Sequence, residues 1–195
     1  LNPPGRVKPC SIGRPLPAVT VKIDGGKGIM PPGTVGELLV QGPNVMLGYY
    51  NLPQETARAL RQGWLHTGDL AYLDAEGYIY IVDRLKDMII VSGENIYPRE
   101  VEEYLMGMPG ILDVQVVALP SRKYGEEVAA FIIPRPGMEV LPEDVRDFCR
   151  GKISWYKIPK YIKTISGFPL TASGKIQKFK LREMAAELWP EPSER

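Results

Sequence analysis

Asp83-Arg84-Leu85-Lys86-Asp87 packs four charged side chains into five residues, and the texture of the chain changes across it. On its N-terminal side the sequence is turn-rich and strand-like. Val19-Thr20-Val21-Lys22-Ile23 alternates at period two and runs into Asp24-Gly25-Gly26, a turn signal. Glu37-Leu38-Leu39-Val40 reads as a further strand, as does Tyr78-Ile79-Tyr80-Ile81-Val82, entered through the turn Asp74-Ala75-Glu76-Gly77. Pro53 to Leu60 reads as one short helix. This half is mostly β.

Beyond Arg84 the rhythm differs. Met88-Ile89-Ile90-Val91 and the run after Glu94 predict a hairpin around Ser92-Gly93-Glu94-Asn95. Pro98 suits the first turn of a helix, where its missing N–H would be unpaired anyway, with Val101, Leu105 and Met108 on one stripe. Leu112, Val114, Val116 and Ala118 alternate with polar neighbours, which predicts a half-buried strand. Val128 to Ile133 is apolar at every position and predicts a central strand covered on both faces. Val145, Phe148 and Cys149 mark a second helix after Pro142, Tyr161 to Ser166 a strand, and Leu181, Met184, Ala185 and Leu188 a closing helix. The order hairpin-α-β-β-α-β-α lacks strict βαβ alternation, so the fold class is α+β: a β-rich subdomain, then a small α+β domain with a short hairpin and a central mixed sheet flanked by helices.

The 195 residues are 44% hydrophobic and 24% charged, with 24 basic against 23 acidic side chains and a net charge of +1. That composition excludes a disordered tail or a collagen-like repeat, and gives no general pull toward nucleic acid or anionic lipid. No apolar run approaches the ~20 residues of a membrane helix, and no signal-peptide pattern opens the chain. The 20 Gly and 19 Pro are in keeping with short strands and many turns. Cys10 and Cys149 form neither a metal pair nor a disulfide framework, which suits a reducing interior, cytoplasmic or an organellar matrix. The chain starts at Leu1 on the loop-like Asn2-Pro3-Pro4-Gly5 and reads as a piece of something longer.

Three stretches carry chemistry. In Gly63-Trp64-Leu65-His66-Thr67-Gly68-Asp69-Leu70, a carboxylate held by a tight glycine turn can accept hydrogen bonds from two vicinal hydroxyls. The commoner use of Gly-Asp is to cap a turn, so both readings of Asp69 stand here. The Asp83–Asp87 run is either a solvated linker or a hinge, in which a few residues absorb the φ/ψ change as one domain turns on another. Directly after it, Gly93 would let a ligand chain approach closely. In Thr171-Ala172-Ser173-Gly174-Lys175, a lysine at the tip of a small loop can reach charge developing in phosphoryl or nucleotidyl transfer. It is not a Walker loop: Gly167 stands too far upstream and Ile176 follows the lysine.

Together these stretches resemble the adenylate-forming acyl-CoA synthetases. The resemblance takes in Gly36-Glu37-Leu38 through Val45-Met46-Leu47-Gly48-Tyr49-Tyr50, then Trp64 to Leu70. It continues through Lys86-Asp87-Met88-Ile89 to Gly93-Glu94-Asn95-Ile96-Tyr97-Pro98 and resumes at Pro169 to Ile176. Lys157-Ile158-Pro159-Lys160-Tyr161 and Gly174 to Lys180 look most like the medium- and long-chain fatty acyl branch.

The resemblance implies that a fatty acid and ATP give an acyl-adenylate and pyrophosphate, and that CoA then displaces AMP. It places residues 1–84 as the last β-rich subdomain of the large AMP-binding domain, 85–86 as the hinge, and 87–195 as a mobile C-terminal domain. Asp69 would bind the ribose hydroxyls and Arg84 the nucleotide, with Lys86 as the pivot. Lys175 would be the catalytic lysine of adenylation, reaching carboxylate and α-phosphate. Ser92, Gly93 and Glu94 would line the pantetheine channel. Tyr124 and Tyr156 fall where rings can stack on the CoA nucleotide, and equally suit a plain surface patch. His66 is expected to be structural.

The family's Ser/Thr/Gly-rich phosphate loop, its Mg2+-linked glutamate and its acyl pocket should precede Leu1, so no metal ligand is expected in these residues. A homodimer would form through that missing large domain. Two rivals are an adenylation domain that loads a carrier-protein thiol, and a catalytically incompetent binding fragment. The tail Trp189-Pro190-Glu191-Pro192-Ser193-Glu194-Arg195 reads as a stop, which favours free CoA as acceptor.

Overall fold

Proline opens three of the helices, each at its first turn and each without a side-chain cap: Pro53, Pro98 and Pro142. The ring's fixed φ suits that position, and the donor it lacks has no intrahelical acceptor there. The computed structural model describes residues 1–26 and 28–190, so the last five residues of the expected tail lie outside it. The chain divides into two compact units, Leu1–Lys86 and Asp87–Arg195.

The first unit is an antiparallel sheet of β1 (Thr20–Asp24), β2 (Gly36–Gln41), β3 (Leu60–Arg61), β4 (Trp64–Leu73) and β5 (Ile79–Arg84), with the short helix α1 (Pro53–Ala59) before β3. Strand β4 is long enough to serve two neighbours on one edge, β3 at its start and β5 at its end, while β2 covers its other edge. Ile23, Leu38, Ala71 and Ile79 form its core. The N-terminal segment is strapped over this sheet. Gly13 bridges Ile79, the Tyr78 hydroxyl donates to the Arg6 carbonyl, and Lys8 pairs with Asp74 and Glu76.

The second unit holds β6 (Ile89–Val91), β7 (Glu94–Ile96), α2 (Pro98–Leu105), β8 (Ile111–Ser121), β9 (Gly125–Pro134), α3 (Pro142–Cys149), β10 (Tyr161–Thr164) and α4 (Lys178–Leu188). Strand β9 is central. It pairs antiparallel with β8 along its length, parallel with β10, and antiparallel with β6 at Val91–Gly125, so the sheet is mixed. Its all-apolar run feeds two cores. Val128, Ala130 and Ile132 meet α2 and α3 on one face, and Ala129 and Phe131 meet Leu181 and Ala185 of α4 on the other. The α+β class and the mixed central sheet are as the sequence predicts.

Strand β8 is not half-buried. Val114 and Val116 join the first core, but Val117 and Leu119 join the second, because α4 covers the face expected to meet water. Leu112 is 45% exposed, since a register shift between Ile111 and Asp113 turns it out of the alternation. No described helix is long and apolar enough to cross a membrane.

Candidate functional site

Asp69 does not cap a turn; it lies inside β4 at a bulge. Glu37 pairs with Leu70 while Leu39 pairs with His66, so Leu38 alone faces Thr67, Gly68 and Asp69. Gly68 takes φ +71, the left-handed conformation that side chains disfavour. Polar contacts hold the bulge shut. Glu37 Oε1 accepts the Gly68 N–H at 3.0 Å and its Oε2 lies 2.8 Å from His66 Nδ1. The Thr67 hydroxyl donates to the Leu38 carbonyl at 2.8 Å and accepts the Asp69 N–H at 3.1 Å. His66 thus braces the Glu37 carboxylate, whose other oxygen holds the Gly68 N–H.

On the other edge of β4, Asp69 stands opposite Arg84 in the β4–β5 ladder, with Arg84 Nε 3.2 Å from Asp69 Oδ1. The two side chains expected to meet the nucleotide are therefore neighbours. They are 36% and 55% exposed, so the pair adds little to stability and its groups face solvent. Chemically it is a carboxylate acceptor beside a planar cation, suited to a diol next to a phosphate. Glu37, which builds the bulge, was legible as a strand residue and as part of the Gly36-Glu37-Leu38 resemblance, but not as the clamp on Gly68.

Lys86 sits in a single 3-10 turn, Leu85–Asp87. The Asp83 carboxylate accepts the Arg84 N–H at 2.7 Å on one side of it, and Asp87 Oδ1 meets Arg182 Nη1 of α4 at 2.9 Å on the other. Each flank is thus fixed within its own unit.

In the second unit Ser92 and Gly93 form the two-residue turn of the β6–β7 hairpin. Their φ values of +52 and +87 mark a type I′ turn, so Gly93 is needed for the backbone, and space beside it is open. The Ser92 N–H donates to the Tyr124 carbonyl at 2.9 Å, which joins this turn to the β8–β9 turn, while Glu94 is exposed at the start of β7. Beside them lies a cleft of about 380 Å³, lined by Val91, Tyr124, Glu127, Arg146, Tyr156 and Lys160 among others. That falls in the range of about 300–1,000 Å³ typical of small-molecule sites.

Trp155 completes the cleft and is 66% exposed. Its ring lies 6.4 Å from Tyr124 and 5.8 Å from Tyr156, edge-on to both. Sequence reasoning missed it, although a tryptophan beside a tyrosine in a polar connection was the available signal. Lys123 Nζ lies 4.8 Å from the Tyr124 ring centre, and Lys160 pairs at 2.6 Å with the buried Glu127 carboxylate, whose hydrogen bond pushes the Lys160 ammonium pKa up. Aromatic rims with cations beside them suit a flat, anionic ligand.

Lys175 belongs to the other face of this sheet. Its loop is closed by the Thr171 N–H to Lys175 carbonyl bond at 2.8 Å and the Lys175 N–H to Thr171 Oγ1 bond at 3.0 Å. Ile176 and Phe168 anchor the loop on the α4-side core, whereas Tyr124 and Tyr156 pack on the α2/α3-side core. The lysine loop and the aromatic cleft therefore lie on opposite sides of one sheet. Among the described residues no group of three or more His, Cys, Asp or Glu side chains is arranged to hold a metal.

The chain matches the AMP-binding enzyme family over residues 1–50 and the AMP-binding enzyme C-terminal domain over residues 100–175. It is 49% identical over 186 residues to the putative acyl-CoA synthetase YngI of Bacillus subtilis, covering 91% of this chain and 33% of that protein. It is 42% identical to the fatty acid–[acyl-carrier-protein] ligase ScoC of Streptomyces coeruleorubidus, covering 88% of this chain and 33% of the relative. The structure of ATP-bound MatB from Rhodopseudomonas palustris superposes with a TM-score of 0.87 at 34% identity, over 94% of this chain and 37% of that one. The chain thus spans about a third of the length of the curated relatives it matches. By sequence and by fold, this chain belongs to the AMP-binding enzyme family.

Proposed function

We propose that this chain supplies the nucleotide-holding strand pair and the mobile second unit of an ATP-dependent fatty acyl-CoA synthetase. In the first half-reaction a carboxylate oxygen attacks the α-phosphorus of ATP, the α–β phosphoanhydride bond breaks, and pyrophosphate leaves. Asp69 accepts the ribose hydroxyls and Arg84 steadies the nucleotide. Lys175 sets its ammonium between two anionic reactants, offsetting their repulsion and holding charge in the transition state. In the second half-reaction the CoA sulfur attacks the acyl carbon, the mixed anhydride bond breaks, AMP leaves, and the thiol proton passes to solvent. Ser92, Gly93 and Glu94 line the pantetheine path, while Tyr124, Trp155 and Tyr156 take the adenine of CoA. Lys86 is the pivot that exchanges the two faces. Mg2+, where bound, offsets the triphosphate charge, and its ligands are expected outside these residues.

One observation carries the reading. The loop suited to adenylation and the cleft suited to a nucleotide-bearing thiol sit on opposite faces of one sheet, so one reaction centre can meet only one of them at a time. That is the arrangement a two-step reaction with a rotating domain requires.

The test is pyrophosphate exchange with medium- and long-chain fatty acids in the full-length enzyme carrying this chain, followed by thioester assay with CoA or with a phosphopantetheinylated carrier protein. Fatty-acid-dependent exchange and acyl-CoA formation are expected, and the 195-residue chain alone should show no exchange. Acyl transfer to the carrier protein but not to CoA would overturn the choice of acceptor.

A further inference from the structure

Lys178 opens α4 three residues after Lys175, and its side chain lies against the protein rather than in solvent. Its ammonium donates to Glu102 Oε1 of α2 at 2.8 Å and to the Val116 carbonyl of β8 at 3.3 Å. The same Glu102 oxygen accepts the Val116 N–H at 2.8 Å. The two side chains are only 19% and 14% exposed.

Between Lys178 and the lysine loop the chain has no slack. Leu170 bridges Ile176, the Gln177 N–H donates to the Pro169 carbonyl at 2.9 Å, and the Gln177 side-chain amide donates to the Leu170 carbonyl at 2.7 Å. One helical turn further on, Arg182 meets Asp87, whose side chain is 9% exposed. Lys178 and Arg182 thus share a face of α4. The first ties the helix to α2 and β8, and the second ties it to the residue that follows Lys86.

A half-buried ion pair gains little net stability over a well-packed apolar pair, because desolvation offsets most of the attraction. What it adds over an apolar contact is register: an apolar helix face can slide, whereas an ammonium set between a carboxylate and a carbonyl holds one position. We propose that Glu102 and Lys178 are positioning residues for Lys175, fixing the first turn of α4 and so the reach of the lysine loop. This rests on the reading of Lys175 given above. Misplacement of a reacting group by about 1 Å costs on the order of a hundredfold in rate, so a loosened stem should register in kinetics before it registers in stability.

The test compares Lys178→Met, Lys178→Arg, the charge-free double variant Glu102→Gln/Lys178→Met, and Lys175→Ala. In the full-length enzyme, Lys178→Met and the double variant should lower kcat for adenylate formation about 10- to 100-fold, with conversion of supplied acyl-adenylate to acyl-CoA within about twofold of wild type. Lys178→Arg should recover most of the loss. In the 195-residue chain itself, amide exchange at residues 171–176 should quicken in Lys178→Met while that of β8 and β9 holds. Adenylation kept within twofold in both variants while Lys175→Ala loses it would overturn the positioning role and leave the reading of Lys175 intact. Equal loss in both half-reactions would reduce the pair to a structural contact, which also overturns it. Adenylation that survives Lys175→Ala would overturn both readings.

Discussion

Replacing Gly68 with alanine should weaken the first unit by a predictable amount, for a reason distinct from the same change at Gly36. At Gly68 there is room: an added Cβ would have its nearest neighbour, Arg84 Nη2, at 4.0 Å. The cost is conformational, since φ is +71 and an L-residue held there loses about 1–2 kcal/mol. At Gly36 a Cβ would lie 2.4 Å from the Asp24 carbonyl oxygen, in the backbone of the strand it pairs with. That contact can be relieved only by pulling β1 off β2, at a cost toward or beyond the top of the usual range of about 1–3 kcal/mol for overpacking. For a domain of this size each kcal/mol lowers Tm by roughly 4–8 °C. Scanning calorimetry on the 195-residue chain should therefore place Gly68→Ala roughly 4–16 °C below wild type in the transition of the first unit, with Gly36→Ala lower still or unfolded there. Asparagine, which tolerates the left-handed region, should cost less than alanine at Gly68. An unchanged Tm in Gly68→Ala would show that the left-handed backbone there does not carry this cost, and equal tolerance of alanine at both positions that the close approach at Gly36 does not.

Burial pushes the Cys149 thiol up to about 11, while Cys10 is exposed, so a thiol reagent at neutral pH should modify one cysteine in the native chain and two after unfolding. Trp155→Ala should raise KM for CoA several-fold and leave pyrophosphate exchange unchanged, as steady-state kinetics on each half-reaction would show. The Lys8 hydrogen bond holds the Asp74 carboxyl below its ordinary value. Its stabilising contribution is therefore full above the unfolded carboxylate pKa and fades as pH falls through the lower folded value. The protection of the amides of residues 1–14, after correction for the intrinsic exchange rate, should fall on acidification through that window, and Asp74→Asn should reduce that fall while Glu76 still holds Lys8.

How much of this was legible depends on how local each signal is. Pro53, Pro98 and Pro142 mark helix starts because a proline's constraint acts on its own residue, and the run from Val128 to Ile133 announces a strand covered on both faces by composition alone. The two-sided burial of β8 was not legible, since Val117 and Leu119 meet a helix that begins at Lys178. The bulge at Asp69 was misread as a turn for the same reason: the register shift that makes it is set by pairing with Glu37, far back in the chain. Asp69, Gly93 and Lys175 could be singled out because each sits in a short stretch with its own chemistry, whereas Arg84 was marked out only by the family resemblance. Trp155 stands beside Tyr156 in the sequence, but only the fold brings Tyr124 to its other side. The pairing of Lys178 with Glu102 was not legible either, since no local pattern encodes it.

On the function proposed above, the two faces of the second unit serve two successive half-reactions by turning about Lys86. Single-turnover kinetics on Lys175→Ala and Lys86→Pro, with each half-reaction started separately, tests it most directly. Lys175→Ala should slow adenylation by roughly a hundred- to a thousandfold, the usual cost of one preorganised charge contact, and still convert supplied acyl-adenylate to acyl-CoA. Lys86→Pro, which fixes φ near −65° at the pivot, should keep adenylation and lose thioester formation. Reciprocal losses of this kind are the predicted result. Parallel losses in both variants, or a Lys86→Pro enzyme that completes both steps at the wild-type rate, would contradict it.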